Sequence, residues 1–289
     1  MKNILLIGNG YIGKYLFKSL SQYDFNVTII SKKDVDYSDV NYFKRFLMTN
    51  KTFDYVINCS GFTGIPNVDQ AEVEKADCWK YNVTVPINIS KVCKQLNIQF
   101  IHISTGCIYS GYNKEFTEED IPNFGMFDTS SFYSKTKHAY ELQSDYGMTI
   151  RIRMPYCNTQ CSKNFISKII SFNNICDLKN SKTYIDDLSN FLKHYITSCI
   201  YNTTEVGLLN LVNPDALYIQ DIVDILTQYG LNNPNWTITD ISKLNLAAPR
   251  SNCVLSTTKL TEMFPNFKIQ SEKAAIINAI STWHNKNTL

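Results

Sequence analysis

The sequence predicts an α/β fold, a doubly wound parallel sheet with a smaller C-terminal domain, and three observations lead there. The chain opens on an apolar run, Ile4 to Ile7, that enters Gly8-Asn9-Gly10-Tyr11-Ile12-Gly13 and then an amphipathic segment. Strand-like runs then alternate with helical patterns across the first half, which implies parallel strands joined by crossovers. After residue 154 the alternation loosens into short helices and loops.

The first strand, 4–7, and the first helix, 11–22, flank the glycine turn. Strand, glycine turn and helix are the context that a dinucleotide fingerprint requires. Gly8 permits the tight turn, Gly10 lets the backbone approach a pyrophosphate at the helix N-terminus, and Gly13 lets helix pack on strand. Gly8, Gly10, Tyr11, Ile12 and Gly13 are therefore cofactor-binding candidates of a Rossmann-like fold. The second strand, 26–30, ends in Ser31-Lys32-Lys33, where an NAD-type site carries Asp or Glu. A hydroxyl and ammonium groups suit a 2′-phosphate, so Ser31 and Lys32 predict NADPH over NADH. Asp36 either serves the adenine or caps a turn.

A helix over 39–49 leads to a strand at 54–58, a helix over 70–94 to a strand at 99–104, and a helix over 132–146 to a strand at 149–153. Ligands of such sheets sit beyond the carboxyl ends of the strands. The glycine turn, Asn58-Cys59-Ser60-Gly61, Ser104-Thr105 and Met154-Pro155 all fall at such ends, and Ser60 and Gly61 join the cofactor candidates. Segment 183–204 reads as a helix returning to the large domain. The division is 1–154 plus 183–204 for the cofactor domain, and 155–182 plus 205–289 for a smaller substrate domain.

Chemistry concentrates in STGCIYS (104–110) and SFYSKTK (131–137). Reducing a ketone needs a proton for the oxygen as hydride reaches the carbon, and a tyrosine near its free pKa of about 10 is a poor acid at neutral pH. An ammonium one helical turn on lowers that pKa, and the i, i+4 spacing puts Tyr133 and Lys137 on one helix face. Thr105 supplies a second hydrogen bond to the carbonyl oxygen, and such donors also stabilise an enolate. Cys107 adds an acid/base group that hydride chemistry does not need.

Bulk properties agree. A length of 289 residues with 44% hydrophobic content supports a full core, and a net charge of +2 suggests no nucleic-acid partner. No apolar stretch approaches the ~20 residues of a membrane span, and the N-terminus enters a strand without a signal peptide. Nine cysteines lack a CxxC or Cys/His ligand spacing, so no disulfide framework and no metal is expected, and a cytoplasmic setting follows.

The order GxGxxG, strand-end Asn-x-x-Gly, Ser/Thr and YxxxK resembles the extended short-chain dehydrogenases acting on nucleotide sugars, in particular the dTDP-4-dehydrorhamnose reductase branch. GFTGIPNVD (61–69), STGCIY, EEDIPNF (118–124), SFYSKTK, RIRMP (151–155), NFISKI (164–169), LVNPDA, APRSN and TTKL are similar to the plant bifunctional UDP-4-keto-6-deoxyglucose 3,5-epimerase/4-reductases, almost end to end. Composition and length suggest a giant-virus member of that group.

The resemblance implies Tyr133, Lys137 and Thr105 as the reductase set, Asn82 as the helix asparagine of the active-site relay, and Cys107 with Lys168 as the epimerase acid/base pair. It places Thr63, Asn67, Thr105, Cys107, Asn164 and Arg250 on a UDP-linked 4-keto-6-deoxy sugar, Arg250 at the diphosphate, and implies a homodimer. Tyr156-Cys157-Asn158-Thr159 and a shorter loop after Tyr109 depart from the family pattern. A plain 4-reductase served by a separate epimerase, or a non-catalytic cofactor-binding regulatory subunit, are the alternatives; the intact Thr105/Tyr133/Lys137 set argues against the second.

Overall fold

The computed structural model describes residues 1–50, 53–65, 67–126, 129–198 and 203–284. Its strands are β1 (Lys2–Ile7), β2 (Phe25–Ile30), β3 (Tyr55–Asn58), β4 (Gln99–Thr105), β5 (Gly111–Phe116), β6 (Met148–Ile152), β7 (Asn174–Ile175), β8 (Leu208–Asn210), β9 (Thr237–Ile238) and β10 (Cys253–Leu255). Six of them form one parallel sheet in the order β2-β1-β3-β4-β6-β8. The five strand runs expected from the sequence are all in it. β8, read from the sequence as part of the smaller domain, is the sixth strand, and β5 pairs with β10 in a separate two-stranded sheet.

The helices are α1 (Tyr11–Leu20), α2 (Val40–Thr49), α3 (Lys75–Trp79), α4 (Val85–Gln95), α5 (Phe132–Gln143), α6 (Phe165–Ser171), α7 (Ile185–Ser198), α8 (Thr203–Val206), α9 (Ile219–Gln228), α10 (Thr258–Met263) and α11 (Glu272–His284). One core lies between the sheet and α1 and α7, with Leu6, Leu16, Leu188 and Phe191; Leu5, Ile7, Phe43, Leu47 and Val92 build another against α2 and α4. Helices on both faces explain why the strands are apolar almost without interruption. A third core joins α6, α9 and α11 through Ile166, Ile222 and Ile276. Among the described residues no helix is long and apolar enough to cross a membrane.

The expected helix over 70–94 is not continuous. A 3₁₀ turn (Val68–Glu72), α3, a π-helical turn (Lys80–Thr84) and α4 follow one another. Within the π turn Asn82 is fully buried, and its side chain accepts from Phe62 N at 2.8 Å and donates to Phe62 O at 2.9 Å and Thr136 Oγ1 at 3.1 Å. Wider turns of this kind mark functional sites.

Register aligns the strand ends that carry chemistry. Ile7 lies opposite both Ile30 and Asn58, and Asn58 opposite His102, after which β4 continues to Thr105. The chain leaves β1 between neighbours that run to opposite sides, the switch point at which open α/β sheets bind ligands.

Candidate active site

At that switch point Gly8 takes φ +104°, and a Cβ on it would stand 2.8 Å from Ser60 N; a Cβ on Gly13 would meet Gly8 O at 1.9 Å. Gly10 begins α1 without any side-chain cap, so the first helical N–H groups are open to an anion. A cleft of about 250 Å³ opens there, lined by Gly8, Gly10, Ser60, Gly61, Tyr37 and Tyr81 among others. A side chain at Gly8 would push on the Ser60 backbone that lines it, and one at Gly13 on the Gly8 carbonyl, so these glycines hold the tight turn that a dinucleotide needs. Ser60 donates from its hydroxyl to Asn58 Oδ1 at 2.6 Å.

Tyr37 and Tyr81, which the sequence did not single out, bring the strand-2 end to this cleft. Lys32 Nζ contacts the Tyr81 hydroxyl and lies 4.9 Å from its ring centroid, with Lys80 Nζ 5.5 Å away from the same ring. Ser31 is tied by N and Oγ to Asp34, and Asp36 accepts from Ser38 N and Oγ, a turn cap. Tyr11 and Ile12 pack on the first core, and the Tyr11 hydroxyl donates to Cys157 Sγ at 3.3 Å.

Thr105, at the end of β4, sits beside the Tyr133 phenol. Ser131 starts α5 by accepting from Ser134 N at 3.2 Å, and Glu72 Oε1 accepts from Phe132 N at 2.6 Å, so both fix the turn that carries Tyr133. Burial pushes the Tyr133 phenol up, the nearby Cys107 adds to that, and the Thr105 hydroxyl opposes it. Lys137 is 4% exposed, its Nζ 5.9 Å from the Tyr133 ring centroid, and burial holds it down at about 8. The sequence argument expects the ammonium to lower the phenol; here desolvation dominates both groups and moves them toward their neutral forms. A Cβ on Gly61 would stand 3.4 Å from Lys137 Nζ and 3.1 Å from Asn82 Oδ1, so the reductase set borders the glycine cleft. Behind it His102, fully buried, bonds Asn58 through Nδ1 at 3.1 Å and is held neutral by burial and by Lys137.

Cys107 follows Thr105 in a half-buried turn, its N–H donating to Thr105 Oγ1 at 3.1 Å. Arg153 Nη1 lies 3.7 Å from its sulfur. Lys168 is half-buried on α6, with no ion pair to a described residue, and burial and the neighbouring Lys163 push its ammonium down. Asn164 is fully buried and caps α6, its Oδ1 accepting from Ile166 N at 3.0 Å and its amide donating to the carbonyls of Cys157 and Thr159. Those bonds give it the task of holding the 157–159 loop. Thr63 and Asn67 are exposed in the loop after β3, and Arg250 reaches that loop's 3₁₀ turn, pairing with Asp69 Oδ1 at 2.8 Å. Among the described residues no group of three or more His, Cys, Asp or Glu is placed to hold a metal ion.

Arg153, Glu72, Tyr37, Tyr81 and His102 were not singled out from the sequence. For Arg153 a signal existed: an arginine inside a strand that must be buried.

Comparison with known proteins agrees with this layout. The chain is 34% identical over 240 residues to a bifunctional dTDP-4-dehydrorhamnose 3,5-epimerase/dTDP-4-dehydrorhamnose reductase of Arabidopsis thaliana, covering 78% of this chain and 76% of that one. It is also 34% identical over 227 residues to an Arabidopsis trifunctional UDP-glucose 4,6-dehydratase/UDP-4-keto-6-deoxy-D-glucose 3,5-epimerase/UDP-4-keto-L-rhamnose-reductase, but spans only 32% of that enzyme's length. The crystal structure of the L780 UDP-rhamnose synthase from Acanthamoeba polyphaga mimivirus is 27% identical, with a TM-score of 0.86 over 97% of this chain and 99% of that one. The model of the RmlD substrate binding domain family matches residues 1–283, and the chain belongs to that family.

Proposed function

We propose that this chain is an NADPH-dependent nucleotide-sugar 4-reductase with 3,5-epimerase activity, converting UDP-4-keto-6-deoxy-D-glucose to UDP-L-rhamnose. The observation that carries the reading is the gathering of Thr105, Tyr133, Lys137 and Cys107 at the rim of the glycine cleft. The relatives support it: both activities in one Arabidopsis chain, and UDP-rhamnose synthesis in the mimivirus protein.

In a 4-keto sugar the carbonyl acidifies the hydrogens at C3 and C5. The Cys107 thiolate takes such a proton, the C–H electron pair becomes the enolate double bond, and the former carbonyl oxygen accepts hydrogen bonds from Thr105 and Tyr133. The Lys168 ammonium, easily deprotonated when half-buried, returns a proton on the other face. For the reduction, NADPH bound at the glycine turn supplies the hydride that C4 receives. Tyr133, kept protonated by burial, gives its proton to O4, and Lys137 restores it. Asn82, tied to both Phe62 and Thr136, fixes the wall between cleft and α5. Thr63, Asn67 and Arg250 belong to the nucleotide-sugar side in this reading, which also takes the protein as a cytoplasmic homodimer without nucleic-acid or membrane partners.

The test is incubation with UDP-4-keto-6-deoxyglucose and NADPH alone, with NMR identification of the sugar. UDP-L-rhamnose is expected; substrate that becomes reducible only when an epimerase is added leaves a simple reductase. Cys107→Ala is expected to stop solvent deuterium entering C3 and C5 while NADPH still binds, and Tyr133→Phe to slow reduction by about 10²-fold or more.

A further inference from the structure

Arg153 is 1% exposed, yet no described carboxylate pairs with it. Its guanidinium is held by neutral acceptors: Nη1 donates to Gly106 O and Ser251 Oγ, both at 2.9 Å, and Nη2 to Asn180 Oδ1 at 2.8 Å and Ser251 O at 3.1 Å. Nε has no partner. A buried charge without a counter-ion is costly, several kcal/mol even after relaxation, so a fold that fixes one this firmly calls for an anion beside it.

Arg153 acts through its charge on Cys253, Cys107 and Tyr112, and it also disfavours the buried Lys182 ammonium. Cys253 is fully buried and donates to Gly106 O at 3.8 Å, burial pushing its thiol up, which keeps it protonated. Tyr112 is likewise raised by burial. Cys107 is half-buried near Tyr133, and Arg153 Nη1 lies 3.7 Å from its sulfur. A Cβ at Gly106 would stand 3.2 Å from Arg153 Cγ and Cδ, so the glycine before Cys107 leaves room for the arginine stem. Besides Arg153 on the stretch following β6, Cys107 faces Tyr133 and Lys137 of α5 and Cys253 of β10.

We infer that Arg153 is the counter-cation of the Cys107 thiolate, a positioning residue that keeps the epimerase base ionised and aimed. The inference rests on the reading of Cys107 as that base. When the thiolate takes a proton from C3 or C5, the negative charge moves to the enolate oxygen, and Arg153 is left facing a neutral thiol. Arg153 therefore stabilises the thiolate before abstraction and loses that partner once the thiol is formed, so its action is seen in the free enzyme.

The experiment is carboxamidomethylation of the full-length protein by iodoacetamide, followed at each cysteine by mass spectrometry. At pH 6.5 half-buried Cys107 is expected to react faster than exposed Cys161, because the thiolate is the reactive form. Arg153→Met should slow Cys107 by about tenfold at pH 6.5, the equivalent of one unit of ionisation, leave Cys161 unchanged, and lose its effect at pH 9.5; Arg153→Lys should fall between. Equal rates in wild type and Arg153→Met, or the same slowing at both pH values, overturns the inference. If Arg153→Met does not fold, the wild-type rate ratio decides, because it cancels the difference in access between half-buried Cys107 and exposed Cys161: a Cys107/Cys161 ratio larger at pH 6.5 than at pH 9.5 supports it, and an equal or smaller one overturns it. Failure of the epimerase reading shows separately, as no deuterium at C3 and C5 with the wild type.

Discussion

Lys137 has no described carboxylate in contact, and burial holds its ammonium down at about 8. Its charged form is present below that pH and lost above it. If Lys137 restores the Tyr133 proton, the turnover number for reduction falls as pH rises through about 8, and Lys137→Arg, which stays charged, removes that descending limb at a lower overall rate. Absorbance at the nicotinamide band against pH checks this; a limb that persists in Lys137→Arg assigns it to another group. At this scale the nearness of Tyr133 and Lys137 on α5 was legible because Tyr-x-x-x-Lys at helical spacing is itself a statement of geometry. Arg153 was legible only as an arginine in a run that must be buried; that no described carboxylate pairs with it is set by tertiary packing.

Elements were legible where a period marks them. The glycine turn with its strand and helix, and the five parallel strands, follow from alternation and apolar runs. The break in the expected 70–94 helix does not, because a π turn adds one residue to a pattern that stays apolar on the same side, and the reason for it, the bonds from Asn82 to Phe62 and Thr136, is tertiary. β8, β10 and the two-residue strands β7 and β9 are too short to carry a period. The C-terminal helix α11 is anchored by the Lys182–Glu272 pair, 2.7 Å apart with both side chains fully buried. Lys182 also donates to the carbonyls of Asn180 and Leu217. Removing one partner leaves a buried charge, so Lys182→Met should destabilise the protein by about 3–5 kcal/mol. Lys182→Met with Glu272→Leu should recover part of that loss in thermal or urea denaturation, and a double variant no better than the single one would place the stabilisation in the carbonyl bonds instead.

Across the whole molecule, the Asp69–Arg250 pair joins the loop after β3 to the chain just before β10. Asp69 also accepts from Ala248 N at 3.0 Å, and Arg250 Nη1 donates to Ala248 O, so three groups lock the two segments together. Glu72, one turn beyond Asp69, caps α5 just ahead of Tyr133, and the same 3₁₀ turn therefore touches both the segment of Arg250 and the helix of Tyr133. Arg250 and Asp69 are about a quarter exposed, and pairs of that kind contribute roughly 0–1 kcal/mol. A bond so weak is readily exchanged for a diphosphate, which offers more negative charge to the same guanidinium. Arg250→Ala is then expected to raise KM for the nucleotide sugar about tenfold or more, with NADPH affinity unchanged. Asp69→Asn keeps an acceptor for Ala248 N but releases Arg250 from its carboxylate, so it should leave that KM within about twofold or lower it, as one weak pair implies. Initial rates over a range of nucleotide-sugar concentrations, with NADPH binding measured by fluorescence, separate the cases. A rise in KM for both variants of equal size would mean that the ion pair itself shapes the site and that Arg250 does not change partners.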